Sequence, residues 1–278
     1  MIVVVGKSGQ LAQELNFTKN EREVAFLGRA EVNVLDSKQF IAVLKKYQPT
    51  VIINAAAYTA VDDAETDFDA AFALNRDAVE IIAIYCQQAG CRLLHVSTDF
   101  VFDGEKSTPY KVDDAPNPLS VYGLSKLAGE QAIQRTMDHN YAIVRTSWLY
   151  SSFGHNFVKT MLRLMNERDE ISVVNDQIGS PTNARGLAEY IWTLVESDKL
   201  VPVYHYSDAG EISWYKFACE IYRLGKLHGL IQRDVRLKPI TTKDYSTSAK
   251  RPRYSILQTN LTHDWHQQLR KTFLNLTQ

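Results

Sequence analysis

Short apolar strands alternate with helical stretches through the first 150 residues, and no other feature constrains the fold as tightly. Strand-forming runs occupy 2–5, 24–27, 51–54, 92–97 and 141–145. Helical patterns fall between them at 10–16, 37–47, 66–88 and 120–135. Ser37 is placed to cap the second helix and Gly90 to close the third. Such alternation predicts an α/β chain built as a Rossmann-like, doubly wound parallel sheet. After about residue 150 the pattern turns irregular, with helices near 156–168, 184–196 and 213–224 and short strands between. The expected division is a nucleotide-binding domain at 1–150 and a smaller substrate-binding lobe at 151–278, with segments crossing back to the first.

At 278 residues the chain is long enough to bury a sizeable core. Its net charge of −1 gives no footprint for nucleic acid or an anionic membrane surface. No run approaches 18 apolar residues, so no membrane span is expected. The opening run from Met1 to Lys7 lacks a basic leader region, so a cytoplasmic protein is expected. Cys86, Cys91 and Cys219 lack metal spacing and read as free thiols.

The first strand runs into Gly6, Lys7, Ser8, Gly9, Gln10 and Leu11, and then a helix. Glycines let the backbone turn tightly against a diphosphate, and the helix N-terminus offers N–H groups and positive dipole character to the anion. A plain strand-to-helix turn also needs glycine, so this loop acquires meaning only with its partners. After the second strand comes Arg29, where a guanidinium suits a 2′-phosphate. The reading is NADPH, with NADH possible.

Tyr122 and Lys126 lie four residues apart at a helix start, so both side chains share one face. The fourth strand ends in Ser97, Thr98 and Asp99, at the sheet edge where ligands of this fold bind. When hydride attacks a carbonyl carbon, negative charge develops on the oxygen. Tyr122 is the candidate proton donor, Lys126 the cation that lowers its pKa, and Thr98 the donor to the oxyanion. A tyrosine–lysine spacing alone is common by chance. The glycine loop and the strand end give it context.

Further runs carry a resemblance. They are Asn54 through Asp62 with Ala64 and Glu65, Val101 with Phe102, Lys126 through Glu130, and Arg145-Thr146-Ser147-Trp148. Asn156 with Phe157, Met161 through Leu164, Asn175 through Thr182, and Arg251 with Pro252 complete them. Together with the motifs above they resemble the extended short-chain dehydrogenase/reductases, and within them the dTDP-4-dehydrorhamnose reductase group, over nearly the whole chain. The resemblance implies reduction of the C4 ketone of dTDP-4-dehydro-β-L-rhamnose to dTDP-β-L-rhamnose, the last step of that sugar-nucleotide route. It implies cofactor contacts at Gly9, Gln10, Leu11, Ala57, Tyr58, Thr59, Tyr122 and Lys126. The same loops add Gly6, Ser8, Arg29, Asn33, Val34, Ala55 and Ala56. It implies substrate contacts at Thr98, Asp99, Trp148 and Arg251. Asp99 can accept from sugar hydroxyls, and Trp148 offers a flat apolar face.

Two departures stand out. Asn33 occupies a region where many relatives carry an aspartate. Arg185 stands where some relatives place a glutamate and form a magnesium-bridged dimer, so no metal is expected and the chain is read as a monomer or homodimer. The seven histidines show no metal spacing, His263 and His266 reading as a solvated helix face and His95 as a satisfied core or crevice residue. Two alternatives remain: another nucleotide-sugar enzyme of the same fold, or a non-catalytic regulatory subunit of the methionine adenosyltransferase type. Dehydratases of this fold carry Asp-Glu after the threonine, whereas Thr98 precedes Asp99 and Phe100. An intact Tyr122, Lys126 and Thr98 argues against a scaffold.

Overall fold

The computed structural model describes residues 1–260 and 263–277. The first half runs β1 (Ile2–Val5), α1 (Gln10–Phe17), β2 (Val24–Leu27), α2 (Ser37–Tyr47), β3 (Val51–Asn54), α3 (Phe68–Phe72), α4 (Ala78–Ala89), β4 (Arg92–Thr98), α5 (Val121–Thr136) and β5 (Tyr141–Thr146). The rest runs β6 (Leu149–Tyr150), α6 (Phe157–Glu167), β7 (Glu170–Val174), β8 (Ile178–Gly179), β9 (Thr182–Asn183), α7 (Ala184–Glu196), β10 (Val203–Tyr206), β11 (Ile212–Ser213), α8 (Trp214–Leu227), β12 (Arg236–Ile240) and α9 (Trp265–Leu276).

Six strands form one parallel sheet in the order β10-β5-β4-β3-β1-β2. Side chains alternate across its two faces. Val3, Val5, Ile52, Leu93 and Ile143 pack with Phe40 and Leu44 of α2, Val79 and Ile82 of α4, and Ile133 of α5. Val4, Ile53, Leu94 and Val144 point the other way, onto Leu11 and Leu15 of α1 and Leu187, Ile191 and Trp192 of α7. Both faces are covered, which is why the strands read as unbroken apolar runs. The chain reverses direction across the sheet between β1 and β3. Ligands of doubly wound sheets bind outside the carboxyl ends of strands at that point. A separate core joins Val158, Met161 and Met165 of α6, Phe217 and Ile221 of α8, and Leu269 and Phe273 of α9.

Two local outcomes differ from the sequence reading. Asp36, not Ser37, caps α2, its carboxylate accepting from the Gln39 N–H at 3.0 Å. The helix expected at 66–88 starts at Phe68 and contains a π-helical stretch at Ala73–Asp77 between α3 and α4. Its Asn75 turns inward, accepting from the Tyr58 N–H at 2.8 Å and donating to Tyr58 O and Ser125 Oγ. A π-bulge of this kind accommodates a side chain and backbone that serve another segment. Strand β10, from the second half of the chain, joins the main sheet beside β5.

The π stretch presses on α5. A Cβ on Gly129 would lie 2.1 Å from the Asn75 carbonyl oxygen, which is backbone and has little room to yield. We expect Gly129→Ala to lower unfolding stability by roughly 1–3 kcal/mol, the range of overpacked sites, with a lower urea midpoint at unchanged slope. A wild-type midpoint would show that α5 does not depend on this approach.

Candidate active site

The glycine turn sits at the switch between β1 and β3. Gly6 adopts φ +101°, and a Cβ there would stand 3.0 Å from the Ala56 N, so only glycine lets the two loops meet. Gly9 caps α1 without a side-chain hydrogen bond, and a Cβ on it would meet nothing within 4 Å. The N-terminal N–H groups of α1 thus lie beneath open space, the arrangement that receives a diphosphate. Ser8 and Gly9 are exposed, Leu11 is buried in the core, and Ala55 through Tyr58 are half-buried along the loop after β3. Thr59 is exposed beside them.

Gln10 is expected to meet the cofactor, and its side chain has partners within the chain. Its side-chain amide donates to Leu149 O at 3.2 Å and accepts from Asn156 Nδ2 at 3.4 Å, joining α1 to β6 and α6. Beyond β2, Arg29 is exposed, and Lys7 pairs with Glu31 at 2.5 Å while Glu31 also accepts from the Gly28 N–H. Asn33 is exposed, its carbonyl oxygen accepting from Leu35 N–H at 3.1 Å, and Val34 is half-buried next to it.

Strand β4 and helix α5 bring Tyr122 and Thr98 together, while Lys126 on the same helix turns to the backbone of β4. Ser120 caps α5 by accepting from Gly123 N–H, and Glu65 accepts from Val121 N–H at 2.8 Å. This fixes the first turn, which carries Tyr122. The Tyr122 hydroxyl hydrogen-bonds with Thr98, and burial pushes its pKa up to about 12. Asp99 adds to that rise. The expected depression by Lys126 does not appear. Lys126 Nζ instead donates to Val96 O at 2.7 Å and lies 3.4 Å from His95 Nε2. Lys126 is 2 % exposed, and burial lowers its pKa to about 8, with Glu130 opposing.

Thr98 Oγ donates to Asp99 Oδ1 at 3.1 Å and accepts from Phe100 N–H at 3.2 Å. The Asp99 carboxyl is buried, which raises its pKa to about 6 against the favourable bonds of Ser255 and Thr98. Its Oδ2 has no hydrogen-bond partner. A buried acceptor in this state calls for an explanation, and a ligand donor is one.

Beside these groups opens a cavity of about 940 Å³. Phe100 and Ser255 line its inner end, and Phe100 meets the Tyr122 ring edge-on at 5.6 Å. Trp148 stacks on Trp214 with ring centroids 3.4 Å apart, and Phe157 packs on Trp214. Trp148 holds φ +44°, a left-handed conformation that costs an ordinary residue roughly 1–2 kcal/mol. Backbone strain of this kind collects at functional sites. Arg168, Lys238 and Arg251 also line the cavity. Arg251 is not free: it pairs with Asp62 at 2.6 Å. Trp214 and Lys238 were missed by sequence reasoning, and Phe157 entered it only as part of a run carrying the resemblance, with no role. Nothing local distinguishes them from core or surface residues, because three separate elements bring them to one wall.

Arg185 occupies the region where relatives were expected to hold a metal. Its Nε lies 2.9 Å from Oε2 of the buried Glu14. Among the described residues, no group of three or more histidine, cysteine or acidic side chains is arranged to hold a metal ion. No helix among them is long and apolar enough to cross a membrane.

The comparisons with known proteins agree with one another. The family model of the RmlD substrate binding domain matches residues 1–276. A dTDP-4-dehydrorhamnose reductase of Sinorhizobium fredii is 38% identical over 263 residues, covering 92% of this chain and 88% of that protein. A crystal structure of the Bacillus anthracis dTDP-4-dehydrorhamnose reductase in complex with NADP superposes with a TM-score of 0.93 at 36% identity, covering 99% of this chain and 98% of the other. The Clostridium acetobutylicum reductase structure gives 0.94 at 34% identity, covering 100% and 99%.

The buried carboxyl of Asp99 yields a prediction with a definite sign. It titrates near 6 in the folded protein, against about 3.9 in an unfolded chain. Because the folded pKa is raised, the associated stability is full below about pH 4 and is lost as pH rises through 6. About two units amount to roughly 3 kcal/mol of destabilisation at neutral pH. Asp99→Asn should therefore unfold at a higher temperature than the parent at about pH 7.5, and the advantage should vanish near pH 4. A variant no more stable than the parent at the higher pH would show the carboxylate to be well solvated.

Proposed function

Because the chain belongs to the RmlD substrate binding domain family, we propose that it is a dTDP-4-dehydrorhamnose reductase. It reduces the C4 ketone of dTDP-4-dehydro-β-L-rhamnose with NADPH, giving dTDP-β-L-rhamnose for polysaccharide synthesis. The observation that carries this reading is the convergence of Tyr122, Thr98 and Asp99 at the end of β4, where Phe100 and Ser255 line a cavity walled by stacked indoles.

The open α1 N-terminus and the loops after β1 and β3 fit a dinucleotide diphosphate. NADPH bound there supplies the hydride. Residues of the chain do the rest. The ketone oxygen sits between Tyr122 and Thr98, where the phenol gives its proton as negative charge develops. A pKa near 12 leaves Tyr122 protonated at neutral pH but a reluctant donor, so the bond to Thr98 and the charge of Lys126 matter most once the phenolate forms. Asp99 accepts from a sugar hydroxyl through its unpartnered oxygen. The Trp148–Trp214 wall covers an apolar face of the ligand, and Lys238 and Arg168 provide cations for its phosphates. In this reading residues 1–150 hold mainly the dinucleotide and 151–278 mainly the sugar nucleotide.

The direct test supplies the 4-keto sugar nucleotide with NADPH and follows nicotinamide oxidation and the sugar product. Tyr122→Phe should lower kcat by about 10²–10⁴-fold while NADPH binding, read by fluorescence, stays within a few-fold. Turnover at the parent rate would end the role given to Tyr122. If Arg29 reads the 2′-phosphate, Arg29→Ala raises KM for NADPH more than for NADH; equal changes would remove it from that task.

A further inference from the structure

His95 sits at the end of a hydrogen-bond chain whose directions are forced. Asn54 Oδ1 accepts from the Ala56 N–H at 3.2 Å, which orients its amide. Its Nδ2 therefore faces His95 Nδ1, 3.1 Å away. An amide nitrogen only donates, so Nδ1 must carry the lone pair. The proton of the neutral ring is then on Nε2, and Nε2 lies 3.4 Å from Lys126 Nζ. An ammonium has donors alone and cannot accept that N–H; a neutral amine can. All three side chains are buried, so water does not mediate cheaply.

We propose that His95, held by Asn54 with its proton on Nε2, is a positioning residue that sets the pose and charge of Lys126 and favours its neutral form. The proposal rests on the reductase reading for its kinetic consequence. The groups around Lys126 argue for His95 as the deciding one. Glu130, one turn along α5, favours the ammonium. Its carboxylate is already taken by Arg145 of β5 in a two-pronged contact at 2.7–3.2 Å, and by Ser97 Oγ at 2.5 Å. Tyr122 on the same helix and Asp99 at the end of β4 are engaged with Thr98. The Val96 carbonyl accepts one proton in either charge state. Burial and the Lys126 charge hold His95 well below its ordinary pKa, so the imidazolium is not a competing state.

The test has a spectroscopic and a kinetic arm. In protein labelled with ¹⁵N-histidine, His95 should show a protonated Nε2 and an unprotonated Nδ1 across the range in which the enzyme works. The opposite tautomer overturns the proposal outright, on the wild-type protein and without any need for turnover. In the kinetic arm, the alkaline limb of kcat for 4-keto sugar reduction is compared with that of His95→Gln and Asn54→Asp. The glutamine offers an oxygen to Lys126. The aspartate draws the ring proton to Nδ1 and turns the Nε2 lone pair toward the ammonium. Each should move the limb up by roughly one pH unit or more, a tenfold gain in protonated lysine on its far side. Folded variants whose limb stays in place would refute it. A parent that reduces no keto sugar would instead sink the reductase reading, and the tautomer would still decide this one.

Discussion

An amine buried to 2 % exposure is costly to charge, and the junction of β4 with α5 is arranged around Lys126. The arrangement follows from strand pairing. Ile52, Leu93 and Ile143 all face α5 and the helices beside it. Two residues further along the same faces come Asn54, His95 and Arg145, where the apolar stripe turns polar. Register places Asn54 opposite His95, His95 opposite Ile143 and Ser97 opposite Arg145. A slip of one residue in β4 would send His95 and Ser97 to the opposite face, taking one side-chain partner each from Lys126 and Glu130. Catalytic geometry and sheet register are thus the same constraint.

Much of this was legible in the chain because the signals are local. The five alternating strands, the glycine turn and the tyrosine–lysine spacing each fit within a short window, and tight turns and helical faces are short-range geometry. The residues that escaped are those whose meaning comes from distant pairing. Trp214 is merely the first residue of α8, and only its contact with Trp148 makes it part of a wall. The π stretch at Asn75 follows from a demand made by Tyr58 and Ser125, 17 and 50 residues away. The expected effect of Lys126 on Tyr122 failed for the same reason. Helical spacing puts the two on one face, but the Val96 carbonyl and His95 lie on a strand that the spacing does not see.

Asp99 and Trp148 show the site holding energy that folding alone would avoid. A carboxyl with one unpartnered oxygen is kept out of water, and a tryptophan is kept in a left-handed conformation. Trp148 lines the cavity, and Asp99 directly precedes Phe100, which lines it too. Stability and ligand recognition therefore pull against each other at these two residues, as expected where a site is preorganised rather than assembled on binding.

The cofactor helix and the cavity are also joined mechanically. Gln10 bonds to Leu149 O, immediately after the strained Trp148. One turn on, the buried Glu14 accepts from Ser151 Oγ at 2.6 Å and from Arg185 at 2.9 Å. Helix α1 is thereby tied to β6 and α7 through a carboxylate that has no other answer to its charge. Removing one member of such a pair leaves the other unpaired, at a cost of about 3–5 kcal/mol where both are buried; Arg185 is about one-quarter exposed, so solvent reduces it here. The glycine turn and the indole wall are consequently held in one frame.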